Sequence, residues 1–323
     1  MPGYRVEIDD AQAHGWRVTL TLPGPAAEQV LSLPVWIPGS YLVREFARHL
    51  SHLSAHQGRR EVALVQRDKA SWVAACRGTA ALVVRYRVHA FDASVRGAFL
   101  DAERGFFNGS SLFLRAEGRE AESHRVQIGR LPAGWQVATA MPSRGPRSFE
   151  AADYGELIDH PFALGRFWQG SFEAGGVEHR FVVSCAWPSF DGERLLADVQ
   201  RLCSTQIRFW HGRGKPPFAS YLFMLHVAED GHGGLEHRAS TALAASRRDL
   251  PRRGAGAANA RGGKMKGALI GVSNDASNGI SNGISSDALS DGYLGLLGLI
   301  SHEYFHAWNV KRLRPREFES LDL

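Results

Sequence analysis

His302-Glu303-Tyr304-Phe305-His306 sets two imidazoles four residues apart with a carboxylate next to the first. On a helix, four positions is just over one turn, so both rings project from one face with Cβ atoms about 6 Å apart. Imidazoles so spaced can share one tetrahedral Zn²⁺ at about 2.0–2.1 Å. Glu303 lies one step round the helix, close enough to take a proton from a zinc-activated water without being a ligand. The chemistry this constellation could do is hydrolysis of a polarised carbonyl.

A second constellation is Gly233-Gly234-Leu235-Glu236-His237. Two glycines let a peptide backbone approach a strand edge closely, and the adjacent carboxylate can bind a cationic amino terminus. The same residues also suit a Gly-rich turn followed by a solvated Glu. No Ser or Cys has a nucleophile motif around it, and His49, His52, His56, His124 and His160 show no ligand spacing. The basic run Lys311, Arg312, Arg314 and Arg316 suits a solvated helix end, where the dipole favours cations.

The element that must position the two histidines is a helix beginning at Ser290 or Asp291, either of which offers an N-cap. Its residues Leu294, Leu296, Leu297, Leu299 and Ile300 mark it as buried. Upstream, Leu195, Leu196, Val199, Leu202, Cys203, Ile207 and Trp210 recur at helical spacing, with Asp191 as cap and Gly212, Gly214, Pro216 and Pro217 as terminators. A strand over Ser220 to Val227 then leads to a turn from Asp230 to Gly234. Residues 251–288 are rich in Gly, Ser and Asn and are expected to form a mobile surface insertion.

From residue 1 to about 170 the pattern is short alternating runs between turn residues, such as Trp16 to Leu22, Leu82 to Val88 and Trp135 to Met141. That is the pattern of an antiparallel β domain. Asn108-Gly109, between Phe106-Phe107 and Leu112-Phe113, predicts a type I′ hairpin turn. Trp36, Pro38, Gly39, Tyr41 and Arg44 are expected to shape a turn in this domain and its packing. The fold class expected is α+β, divided as an N-terminal β domain over 1–170 and a second domain over 171–323.

At 323 residues the chain suits two domains, and 44% hydrophobic with 22% charged residues is a globular composition. Cys76, Cys185 and Cys203 lie far apart without CxxC spacing, arguing against a disulfide framework or a thiolate metal site. The net charge of +5 is spread along the chain and does not make a nucleic-acid binder. With no signal-like start and no apolar run long enough to span a membrane, a cytoplasmic location is expected.

HEYFHAWNVKRLRP at 302–315, GGLEHRAST at 233–241, VWIPGSYLVREFARH at 35–49, AFDASVRGAFLD at 90–101 and ELIDHP at 156–161 resemble the glycyl aminopeptidase family of zinc metallopeptidases, family sixty-one. The resemblance covers nearly the whole chain. It implies an N-terminal β domain followed by a thermolysin-like catalytic domain. It also implies Zn²⁺ on His302 and His306, Glu303 as catalytic base, and Gly233, Gly234, Glu236 and His237 as the substrate-binding segment. Glu236 would anchor the free amine of a peptide with a small, Gly- or Ala-like, N-terminal residue. In gluzincins of this kind the third zinc ligand is a glutamate on the next helix. That glutamate, an oxyanion-stabilising tyrosine and the family's usual PDZ domain are expected beyond Leu323. A catalytically incomplete peptide-binding protein of the same fold is the alternative.

Overall fold

The structure, a computed structural model, describes residues 1–37, 42–253 and 290–313. Expectations placed on Pro38, Gly39, Tyr41, Arg314, Arg316 and all but the first residues of the 251–288 segment lie outside these residues.

The fold is α+β, as the sequence predicts. The largest sheet has eight strands in the order β14 (Ser143–Gly145), β15 (Ser148–Ala151), β12 (His124–Ile128), β1 (Gly3–Asp10), β2 (Gly15–Leu22), β8 (Leu82–His89), β4 (Leu50–Gln57) and β5 (Arg60–Val62). Strand β2 illustrates why: Trp16, Val18, Leu20 and Leu22 are fully buried and alternate with Arg17, Thr19 and Thr21, so one face must be covered. Two four-stranded sheets cover it. One runs β13 (Gln136–Ala138), β16 (Phe162–Gly165), β10 (Arg104–Phe107), β9 (Ala98–Leu100); the other β11 (Arg115–Ala116), β3 (Glu28–Ser32), β7 (Ser71–Ala75), β6 (Leu64–Gln66).

The fourth sheet is mixed, ordered β17 (Phe167–Ala174), β18 (Val177–Ser184), β19 (Ser220–Ala228), β21 (Ser240–Ser246), β20 (His232–Glu236). The β18–β19 and β19–β21 pairs are parallel, and β19 is buried on both faces, as parallel strands are. Tyr221, Phe223, Leu225 and Val227 pack towards the helices, while Leu222 and Met224 pack with Val182 and Ala138 on the other side. Leu235 and Ala242 join the core of the N-terminal sheets, so β20 and β21 lie where the two cores meet.

Two longer helices cover the mixed sheet, α3 (Gly192–His211) and α4 (Asp291–Phe305), with short α1 (Gly109–Leu112) and α2 (Tyr154–Ile158) among the N-terminal sheets. The Asp191 side chain accepts from Arg194 N at the start of α3, which stops at Gly212 with φ 59°. The Ser290 hydroxyl accepts from Tyr293 N, capping α4. Leu195, Val199, Cys203 and Ile207 of α3 meet Leu296, Leu299 and Ile300 of α4 in one core, each aliphatic side chain contributing about 1.5–3 kcal/mol by burial. No helix among the described residues is long and apolar enough to cross a membrane.

Four expectations are corrected. Asn108-Gly109 forms no hairpin turn: Asn108 is extended, φ −85° and ψ 144°, and precedes α1. Its buried amide donates to Val95 O and Gly97 O, and those long-range bonds override the local turn preference. Leu294 is exposed on α4 rather than buried. The Asp230 to Gly234 segment is not all turn, since β20 already begins at His232 and pairs with Ala245. Lys311 and Arg312 are not a solvated basic end, because partners from distant segments fold over them, as described below.

Candidate active site

Helix α4 holds the HExxH residues at its C-terminal end, and several bonds fix its rotation. Tyr293 donates to Asp198 Oδ2 at 2.9 Å, and Gln206 Nε2 donates to Ser301 O and Oγ at 2.8 Å. Tyr304, inside the motif, points the opposite way from the histidines, into the core. Its hydroxyl is 2.8 Å from His179 Nε2 and also bonds Cys203, while His179 Nδ1 is 2.9 Å from Val177 O. The Nδ1 proton donates to that carbonyl, so Nε2 accepts from Tyr304 and the ring is neutral.

Burial pushes the His179 pKa down to about 4. The unfolded value is near 6.5, so this ring's contribution to stability is complete above about pH 6.5 and is lost as pH falls through that window. His226, similarly depressed by burial to about 4, adds to the same loss. We expect the thermal midpoint to fall between pH 6.5 and pH 4 and His179→Gln to flatten that slope; an unchanged slope in calorimetry would remove this role for His179.

On the outer face, His302 and His306 converge with their Nε2 atoms 3.1 Å apart. Two nitrogens bound to one tetrahedral Zn²⁺ stand about 3.3 Å apart, so the pair fits a shared metal without rearrangement. His306 Nδ1 lies 2.5 Å from the Asn309 carbonyl, which takes the Nδ1 proton and leaves Nε2 with a free lone pair. Among the described residues no group of three His, Cys, Asp or Glu side chains could hold a metal ion, so the described donors are these two imidazoles.

Glu303 is 5% exposed, and its Oε2 has no hydrogen-bond partner among the described residues. Burial first, then the charge of Glu236, push its pKa up to about 7, with the Arg96 cation pulling the other way. A Cβ at Gly234 would stand 2.1 Å from Glu303 Oε1, so the absence of a side chain there is what admits the carboxylate. The two constellations, separate in sequence, are thus in contact: β20 lies beside α4, with Glu236 near enough for its charge to act on Glu303. Glu236 is 7% exposed. His237 is 1% exposed and stands 3.6 Å from Asp159 Oδ1.

Asp159 is the residue that sequence reasoning did not single out. Its carboxylate takes Lys311 Nζ at 2.6 Å on Oδ1 and the Arg238 N–H at 2.8 Å on Oδ2. Burial opposes its ionisation, but the Lys311 charge, then His237 and the hydrogen bonds, hold the carboxyl well below the usual range. Arg312 donates to Ala307 O, Arg238 O and Pro217 O. The loop after His306 is therefore tied both to the end of β20 and to the N-terminal sheets. Arg96 is the other contributor missed, with Nη2 donating to Gly234 O at 3.2 Å. Both lie in segments whose resemblance had been noted, ELIDHP and AFDASVRGAFLD, but no local pattern signals a partner 138 residues away.

The α+β fold sets HExxH on a buried helix beside a sheet edge, behind N-terminal β layers, the context in which that motif is characteristic of metallopeptidases. The chain belongs to the M61 peptidase family: the Peptidase M61 N-terminal domain matches residues 3–166, and M61 glycyl aminopeptidase matches 295–323. Among solved structures it is similar to an aminopeptidase N family protein from Idiomarina loihiensis at 36% identity and TM-score 0.84, over 100% of this chain and 50% of that one. The chain thus spans half the length of that protein. It also resembles in fold the Legionella pneumophila aminopeptidase A solved in complex with aspartic acid, at 10% identity and TM-score 0.51, over 98% of this chain and 35% of that one. A comparison with curated proteins gives no match.

Proposed function

We propose that the protein is a zinc-dependent aminopeptidase that removes small, Gly- or Ala-like, N-terminal residues from peptides. In this reading residues 1–170 form a β domain and 171–323 belong to the catalytic unit. The observation that carries it is the meeting of the two motifs: a buried Glu303 carboxylate, its Oε2 without a partner among the described residues, against Gly234 and next to Glu236 on an edge strand.

His302 and His306 would hold the metal, and a glutamate outside the described residues would be its third protein ligand. Zn²⁺ there would polarise the scissile carbonyl and lower the pKa of the attacking water. Glu303 accepts the proton of that water and returns it to the leaving amine, the work of a general base that then acts as a general acid. Glu236 takes the substrate ammonium, which limits attack to the first peptide bond. Gly233 and Gly234 give the substrate backbone room along β20, and the buried His237, whose backbone N–H donates to Ser240 O, closes the end of that strand.

With full-length protein, alanyl and glycyl anilides should be hydrolysed and their N-acetylated forms should not. Glu236→Ala should lower kcat/KM on the free-amine substrates by roughly 10- to 100-fold, the value of a charge-assisted hydrogen bond. Equal cleavage of acetylated and free substrates would rule out an aminopeptidase. No hydrolysis and no bound zinc would favour the peptide-binding alternative.

A further inference from the structure

Strand β20 is the edge of the mixed sheet and pairs on one side only, with β21. His237 N donates to Ser240 O, and bonding alternates along an antiparallel strand, so Gly233 and Leu235 face β21 while Gly234 and Glu236 turn their backbone groups to the open edge. An amine held by Glu236 and a scissile carbonyl brought to Glu303 beside Gly234 fix the substrate direction. It runs from Glu236 towards Gly234, antiparallel to β20. The group standing at the outward carbonyl of Gly234 therefore meets whatever follows the scissile bond.

That group is Arg96, from the N-terminal sheets. Its Nη2 donates to Gly234 O at 3.2 Å, and its Nη1 lies 3.8 Å from where a Cβ on Gly233 would stand. This is the one hydrogen bond of its guanidinium among the described residues, and the half-buried side chain keeps its other donors available. The backbone around it is clamped. The fully buried Asn108 amide donates to Val95 O at 2.8 Å and Gly97 O at 3.4 Å, the carbonyls either side of Arg96, and Arg96 N donates to Ser94 Oγ. Gly97 has no room for a side chain, since a Cβ would stand 2.2 Å from Asp92 Oδ2. A second cation, Arg44, is near enough for the Arg96 charge, after burial, to lower its pKa, with Asp92 opposing. Glu303 and Asp92 put negative charge nearby as well, so what favours an anion here is the guanidinium's own remaining donors, whose planar fork matches a carboxylate.

We propose that Arg96 is the specificity-determining residue for the part of the substrate after the scissile bond, that it binds a free terminal carboxylate there, and that dipeptides are the preferred substrate class. Pinned to Gly234, the guanidinium has its orientation set before substrate arrives, and its remaining N–H groups pair with the carboxylate of the second residue. A longer peptide or an amide offers only a neutral carbonyl at that point. The inference rests on the aminopeptidase reading above and extends it to the other end of the substrate.

The test compares kcat/KM for Ala-Ala, Ala-Ala amide and alanyl anilide with full-length protein. The unmodified enzyme should favour Ala-Ala over its amide by roughly 10- to 100-fold, chiefly through KM. Arg96→Gln, which removes the charge and leaves a shorter polar side chain, should bring that ratio close to one, and Arg96→Lys should restore part of it. Circular dichroism checks that each variant is folded, and if Arg96→Gln is not, the unmodified enzyme's own ratio decides. Hydrolysis of the anilide with equal rates on Ala-Ala and its amide would overturn the role of Arg96 while leaving the aminopeptidase reading intact. A ratio unchanged in a folded Arg96→Gln protein would do the same. No hydrolysis of any of the three would overturn both.

Discussion

Replacing Glu303 with Gln in the full-length protein is expected to leave bound zinc stoichiometric while cutting kcat by about 10²- to 10⁴-fold. Glutamine has nearly the same shape and can sit against Gly234 in the same place, but it cannot accept a proton from water. Among the described residues Oε2 makes no hydrogen bond that the amide would break. The loss should fall on kcat if Glu303 acts, as proposed, on the attacking water and takes no part in holding the substrate amine. Removing one of two adjacent carboxylates should also leave the fold no less stable, since Glu236 and Glu303 repel one another. Metal analysis alongside steady-state kinetics checks both halves, and a parallel loss of zinc would make Glu303 a ligand instead.

The second large effect is on stability. Asp159→Leu should destabilise the protein by roughly 3–5 kcal/mol, because it removes the carboxylate that Lys311 meets at 2.6 Å in a site where that lysine is 8% exposed. Asp159→Leu combined with Lys311→Met should recover most of that loss, since an apolar pair of similar volume replaces a buried ion pair at little net cost. Denaturant unfolding of the two single variants and the double variant forms the cycle. Equal destabilisation by the single and double changes would mean that the pairing itself does not hold these segments together. The single variant should also bind metal more weakly well below its unfolding midpoint, because Lys311 anchors the loop whose Asn309 carbonyl orients His306.

How far the sequence anticipates this structure follows from the range of the interactions involved. Helices α3 and α4 are legible because their apolar period and their caps, Asp191 and Ser290, lie within a few residues of one another. The HExxH pair is legible for the same reason, since one helical turn sets its geometry. Local patterns fail where a distant group decides. Asn108-Gly109 has the composition of a hairpin turn, yet the Asn108 amide is spent on Val95 and Gly97, and a Cβ on Gly109 would stand 2.8 Å from Ile158 Cα. Lys311 and Arg312 look like a helix end made for water, yet Asp159 lies across from them. Leu294 shows the converse, an apolar residue on the right stretch of helix but the wrong side of it. Arg96 and Asp159 enter the site only through tertiary packing, so no spacing rule could have found them.

The Asp159–Lys311 link also bears on the order in which the molecule assembles. It joins the middle of the chain to the last of the described residues, and the Tyr304–His179 and Arg96–Gly234 bonds span 125 and 138 positions. Contacts of such separation carry a loop-closure cost and form late. During synthesis the N-terminal sheets and the strand bearing Gly234 leave the ribosome well before Lys311 does, at about 5–20 residues per second. His306 gains its orienting carbonyl and its anchored loop only after that lysine has docked. The proposed hydrolytic centre is consequently the last part of the described chain to mature, and a nascent chain holds the strand proposed for recognition ready before the proposed metal ligands are in place.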